Sequence, residues 1–244
     1  MEKVMGKYGR IVTIRELMGI FQEEYSRASA HNRISQLAQA GWFRRMKRGQ
    51  YLVIDSLSAR SSIDVSMLSI ANALMADSYV SLSHALNYYQ LFDQYSGTIV
   101  SITRTASKKY TFDNLTFKYA KVKKNIFFGY TEKIISGKRV RLAEVEKVLI
   151  DYLYLDKSFG SASVVFEIIK NHHEELDLMK LQRYAVRCGI TTSRKIGFML
   201  DEAHRDSTKL YRSIGANRGV SRLTTDSKVL NAKWRLYYDD RIIG

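Results

Sequence analysis

Proline is absent from all 244 residues, where average usage would give roughly a dozen. Codon bias in an AT-rich genome produces such a gap without any structural cause, so it excludes nothing about the fold. Cysteine is nearly absent as well. Cys188 alone rules out an internal disulfide framework and a cysteine zinc cluster, and it suits a reducing cytosol. No apolar run approaches the roughly 20 residues of a membrane span, and the opening MEKVMGKYGR lacks the apolar centre of a signal peptide. The expectation is a cytoplasmic protein with no membrane partner. A Gly-rich phosphate loop, an internal repeat and a low-complexity segment are also missing.

Positive charge is what the chain has in excess. There are 39 Lys and Arg against 24 Asp and Glu, a net +15. The excess is segregated: residues 1–60 carry +6, 61–100 carry −3, 101–147 carry +8, 148–193 carry −1 and 194–244 carry +5. Solubility does not require segregation. A polyanionic partner does favour it.

The first basic block contains the most informative stretch. Ser26 to Gly41 (SRASAHNRISQLAQAG) has Ala30, Ile34, Leu37 and Ala38 on one helical stripe. The other face carries Ser29, Asn32, Gln36 and Gln39, with Arg33 on the flank and Arg27 near the start, and no carboxylate. Asn and Gln can bond bidentately to adenine, and Arg to guanine, in a major groove. Gly41 supplies a left-handed stop. Trp42 to Ile54 (WFRRMKRGQYLVI) then reads as two short strands around Gly49, with Arg44, Arg45, Lys47 and Arg48 on the first strand and the tip. A polar reading helix followed by a basic hairpin is the layout of a winged helix-turn-helix. Asn32, Gln36, Ser29 and Arg33 are expected to read bases, and the four hairpin cations to grip DNA backbone or minor groove.

Upstream, residues 3–10 predict a short helix. Thr13-Ile14-Arg15-Glu16 is the capping-box pattern for a second, with Ile14, Leu17, Met18 and Phe21 inward. The polar segment 55–64 reads as a linker between a DNA-binding domain, 1–60, and a second domain, 61–244. In the second domain, helices are expected around Met67–Leu74, after Ser81 or Ser83 as cap, and over 143–155. Strands are expected at 79–80 and 98–104, and hairpins turn at Asp113-Asn114 and Ser136-Gly137. After Gly160 the pattern is helical, with Asp177, then Thr192 or Ser193, as caps. Trp234 to Tyr238 has the character of a closing strand. The fold class is therefore α+β: an N-terminal winged helix-turn-helix, then a mixed α+β domain with a small sheet and a C-terminal helical group.

Enzyme-like patterns do not hold up. Gly160-Ser161 with Glu175 and Asp177 suggests a nucleotidyltransferase, but its metal ligands belong on a strand and these lead into a helix cap. Glu144, Glu146 and Lys147 suggest a nuclease, yet they fall on a helix and read as its exposed face. His172 and His173 are adjacent, so on a helix they diverge by about 100°. No catalytic residue, metal site or cofactor is expected. The second basic block offers a possible second nucleic-acid surface, formed by Lys118, Lys121, Lys123, Lys124, Lys138, Arg139 and Arg141, or else a solvated sheet face over an aromatic core.

These segments together resemble the AbiEi family, antitoxins and transcriptional repressors of bacterial type IV toxin–antitoxin systems. The likeness runs nearly full length: LAQAGWFRRMKRGQYLVI; YVSLSHALNYYQLF, with its Tyr-x-Ser-x-x-x-Ala-Leu start; FFGY; VRLAEVEKVLIDYLY, an Ala-x-x-Glu-Lys-x-Leu-x-Asp helix; RKIGFMLDEA; and a final Trp-Arg-Leu. Val145 stands where the family often has Pro. The resemblance implies binding of double-stranded DNA at inverted repeats in the protein's own promoter, and a C-terminal domain that counteracts a nucleotidyltransferase toxin encoded alongside. It also implies that the catalytic partner is a different chain. The alternatives are a regulator whose second domain senses a small ligand, and a nuclease or nucleotidyltransferase.

Overall fold

A computed structural model describes residues 1–55 and 65–243. The chain is mixed α+β, as the sequence patterns require. The predicted linker lies outside the described residues beyond Asp55.

The N-terminal head runs α1 (Glu2–Tyr8), β1 (Ile11–Thr13), α2 (Ile14–Phe21), α3 (Arg27–Gln39), β2 (Phe43–Lys47) and β3 (Gln50–Val53). The capping box forms: Glu16 N donates to Thr13 Oγ1 at 3.3 Å, and Thr13 N donates to Glu16 Oε2 at 2.6 Å. Ser26 caps α3 by accepting from Ser29 N. Its other end closes as a Schellman turn: Gly41 N donates to Ala38 O, Trp42 N donates to Leu37 O, and Gly41 takes φ +81°. A side chain at position 41 would strain that turn. The strand β1 has no counterpart in the sequence pattern. It pairs antiparallel with β3, giving the sheet order β1-β3-β2. Val4, Val12, Leu17, Ile34, Phe43 and Val53 fill the head's own core.

The body begins with α4 (Met67–Leu74), β4 (Ser78–Val80) and α5 (Ser83–Tyr88), followed by β5 (Thr98–Thr103), β6 (Lys108–Phe112), β7 (Leu115–Lys121), β8 (Tyr130–Ile135) and β9 (Lys138–Ala143). These six strands form one mixed sheet, ordered β6-β7-β5-β4-β9-β8. Both expected hairpin turns form, with Asp113, Ser136 and Gly137 at positive φ. On one face, Tyr119 donates its hydroxyl to Ala71 O in α4 at 2.6 Å. The opposite face carries Tyr79 and packs on α6 (Val145–Leu155). Then follow α7 (Phe159–Asn171), α8 (Leu178–Cys188), α9 (Ile190–Glu202) and α10 (Thr208–Ile214). A small sheet of β10 (Ser221–Arg222), β11 (Val229–Asn231) and β12 (Leu236–Tyr238) ends the chain, ordered β10-β12-β11. The C-terminal strand therefore closes a sheet of its own.

Two caps differ from expectation. No side chain caps α5, and Ser81 turns inward to Asp151 instead. Thr192 and Ser193 lie buried inside α9, which starts directly after Gly189 at φ +104°.

Head and body share a core. In β3, Tyr51 and Val53 face the head, while Leu52, joined by Ile11, Met46 and Ile54, is buried in the body's larger cluster. Polar contacts reinforce the seam. Lys47 Nζ donates to Leu74 O at 2.6 Å and Gln50 Nε2 to Ala73 O at 2.9 Å, so both close the carbonyl end of α4. Lys138 Nζ donates to Tyr8 O at 2.5 Å.

Candidate nucleic-acid interface

The outward face of α3 matches its sequence pattern. Arg27, Ser29, Asn32, Arg33 and Gln36 are all exposed, while Ala30 and Ile34 are buried. Their polar groups remain largely available. Arg33 Nη1 reaches Gln36 Oε1 at 3.4 Å, and Ser29 takes part in the Ser26 cap. No acidic residue lies on α3.

The hairpin divides its cations between two faces, a correction to the expected grip of four. Phe43 enters the head core, so Arg45, two residues on, shares its side of the strand. Arg45 is exposed and lines one groove with Ser35, Ala38 and Gln39 of α3. Arg44 faces the body instead. It pairs with Asp113 in the β6–β7 turn, and its guanidinium sits 5.4 Å from the Phe112 ring centroid. A β-bulge between Arg45 and Lys47 brings Lys47 to the body side as well, on Leu74 O. Burial there pushes the Lys47 ammonium below its usual value. Arg48 is exposed at the tip, beside Gly49, whose carbonyl accepts from Ile14 N. Arg45 and Arg48 are thus the exposed hairpin cations, while Arg44 and Lys47 are half-buried and partnered on the body side.

The second basic block is spread across the sheet in two groups. Lys118, Lys121, Lys123 and Lys124 are exposed on β7 and just after it. Lys138, Arg139 and Arg141 belong to β9, with β5 and β4 between. Three strand spacings separate the groups by about 14 Å. Lys138 is held by the head, and Arg141 reaches Glu132 Oε1 at 3.4 Å and Ala76 O at 3.4 Å. Arg139 is exposed.

Glu146 and Lys147 overturn the reading of an exposed helix face: they are 3% and 0% exposed. Lys147 Nζ pairs with Asp151 Oδ1 one turn along α6. Asp151 Oδ2 accepts from Ser81 Oγ at 2.8 Å and Tyr79 OH at 3.3 Å. Burial pushes the Asp151 carboxyl upward, while the ammonium and both hydroxyls pull it back. Glu146 takes Asp177 N at 2.9 Å and Lys180 Nζ at 2.8 Å. The Tyr-x-Ser motif therefore meets Lys147 and Asp151 in one buried network, while Glu146 ties α6 to the start of α8. Each of the network's charges has a partner within the protein, and the contacts join α6 to Tyr79 of β4 and to Ser81 just beyond it.

The other enzyme-like residues are occupied structurally. Ser161 donates to Asp156, Asp177 caps α8, and His173 contacts Arg205. Among the described residues, no group of three His, Cys, Asp or Glu side chains is placed to hold a metal ion, and no helix is long and apolar enough to cross a membrane.

Lys195 is a buried cation with a neutral partner, Leu153 O, at 3.1 Å. Burial lowers it from 10.5 to about 8. Between those values the unfolded chain holds the extra proton, so stability rises as pH climbs through that window, and the burial penalty is fully present below it. Relative to Lys195→Met, the wild-type unfolding free energy should increase by about 1–3 kcal/mol between pH 7.5 and 10. Paired urea titrations at several pH values check this, because titrating tyrosines contribute equally to both proteins.

No protein-family model matches the chain, and no curated protein does. Among solved structures, the chain resembles the crystal structure of the RV2827C protein from Mycobacterium tuberculosis, with a TM-score of 0.64 and 14% identity over 98% of this chain and 89% of that one. At that identity the likeness is one of fold.

Proposed function

We propose that the protein is a sequence-specific DNA-binding autorepressor, its head acting as a winged helix-turn-helix, and that it serves as antitoxin to a nucleotidyltransferase toxin encoded beside it. The observation that carries the DNA reading is the exposed face of α3. It offers amide, hydroxyl and guanidinium groups, holds no carboxylate, and borders a groove containing Arg45. The antitoxin half rests on the family resemblance. Each good bidentate base contact gives about 1–3 kcal/mol of discrimination, so a useful specificity needs two copies on an inverted repeat.

The test is binding to a duplex from the protein's own promoter and to a scrambled duplex, across a salt series. Asn32→Ala/Gln36→Ala should lose about 2–5 kcal/mol of preference for the promoter. Arg45→Ala/Arg48→Ala should weaken both duplexes alike and flatten the log–log salt slope by about 2. Promoter binding that survives all four changes would end this assignment. Co-expression with the neighbouring nucleotidyltransferase frame tests the antitoxin half: without rescue of growth, that half falls.

A second reading, a ligand-sensing body, draws on a pocket of about 550 Å³ at the start of α4, lined by Leu68, His84, Asn87, Tyr88 and Gln94. A small molecule that shifts promoter affinity in wild type but not in His84→Trp would identify it.

A further inference from the structure

The groove beside α3 carries a feature that the DNA reading does not require. It is lined by Ser35, Ala38 and Gln39 of α3, by Arg45 and Tyr51 of the head sheet, and by Arg44 with the β6–β7 turn on the body side. The volume is about 590 Å³. Gln39 follows Gln36 by three residues, so the groove adjoins the exposed amide face. Two guanidinium groups and an amide make its lining one that suits a phosphodiester. The lining also includes one carboxylate, Asp113, and that carboxylate is paired with Arg44.

Asp113 is well placed to hold this position. It occupies the left-handed region, φ +53°, in the two-residue turn between Phe112 and Leu115. The sheet behind it fixes the turn. The Phe112 ring beside Asp113 also holds the Arg44 guanidinium from the body side. Neither partner is fully buried: their side chains are 23% and 29% exposed. An approaching phosphate can therefore reach the guanidinium without unfolding anything.

We propose that this groove is a track for one DNA strand, and that Asp113 occupies it in the free protein as an internal stand-in for phosphate. This rests on the DNA-binding reading. DNA must displace a carboxylate from Arg44 before the head gains that backbone contact. The body thereby sets the affinity of the head through one charge, and a non-cognate duplex that docks poorly fails to make the exchange.

The experiment is a double-mutant cycle on the full chain, using Asp113→Asn and Arg44→Met with the promoter and scrambled duplexes. Asn tolerates the left-handed conformation, so the turn is kept. Asp113→Asn should bind both duplexes about tenfold more tightly at low salt, and the scrambled one should gain at least as much. In the Arg44→Met background the same change should have less than about a twofold effect. Arg44→Met alone should flatten the salt slope by about 0.9. Unaltered affinity in Asp113→Asn overturns the proposal. An equal gain with and without Arg44 also overturns it, because that is general charge repulsion. If wild type binds neither duplex, the DNA reading fails with it, a result unlike either of the others.

Discussion

Lys147→Met should lose about 3–5 kcal/mol of stability, because it leaves the Asp151 carboxylate buried without its counter-ion. Asp151 is 0% exposed, and its remaining donors are the hydroxyls of Ser81 and Tyr79. Two neutral hydrogen bonds do not replace an ammonium. The stem of Lys147 also packs tightly: a Cβ on Gly129 would lie 3.0 Å from its Cβ, and its Nζ sits 5.1 Å from the Phe128 ring centroid. Met keeps most of that packing, so the loss reports the charge. Lys147→Met/Asp151→Leu should recover most of the deficit, since an apolar pair avoids desolvating two ions. Urea unfolding of both variants decides the matter. A single variant within about 1 kcal/mol of wild type would show that the carboxyl is comfortably neutral in the fold.

Gly197→Ala should be about as damaging as a large cavity, though it adds only one methyl. A Cβ there would lie 2.1, 2.2 and 2.6 Å from three atoms of the Trp234 ring. The ring cannot retreat. Trp234 is fully buried, its Nε1 donates to Asp201 Oδ2 at 2.6 Å, and it makes a T-shaped contact with Tyr211, ring centroids 5.7 Å apart. Overpacking of this kind costs about 3 kcal/mol or more when neither side can shift. Trp234→Ala should itself cost about 3–5 kcal/mol. Placed in a Trp234→Leu background, Gly197→Ala should lose most of its effect, because the clashing atoms are gone. Unfolding midpoints of the four proteins test this; additive losses would show that the ring is not the obstacle.

Regular elements with strong local signals were readable from the chain. Thr13 and Glu16, Ser26 and Gly41, Asp113-Asn114 and Ser136-Gly137 each mark a boundary by chemistry that acts within a few residues. The exposed face of α3 was readable for the same reason, since one helix fixes both its stripe and its opposite. What escaped depends on distant partners. The strand β1 has three residues, too few for a period, and exists because β3 lies beside it. Glu146 and Lys147 looked solvated, because nothing near them in sequence shows Lys180 or Ser81 arriving. In the hairpin, alternation from Phe43 would have separated Arg44 from Arg45. The bulge that turns Lys47 aside has no such signal.

The apolar seam formed by Ile11, Met46, Leu52 and Ile54 bears on how the protein can be dissected. Cutting the chain into two fragments would leave a greasy scar on each. A head purified alone would be prone to self-association, and a lone body would lose the lysine and glutamine that stopper α4. Fragments that bind nothing would then report damaged surfaces, and point substitutions in the intact chain are the sounder route to assigning the two halves their tasks.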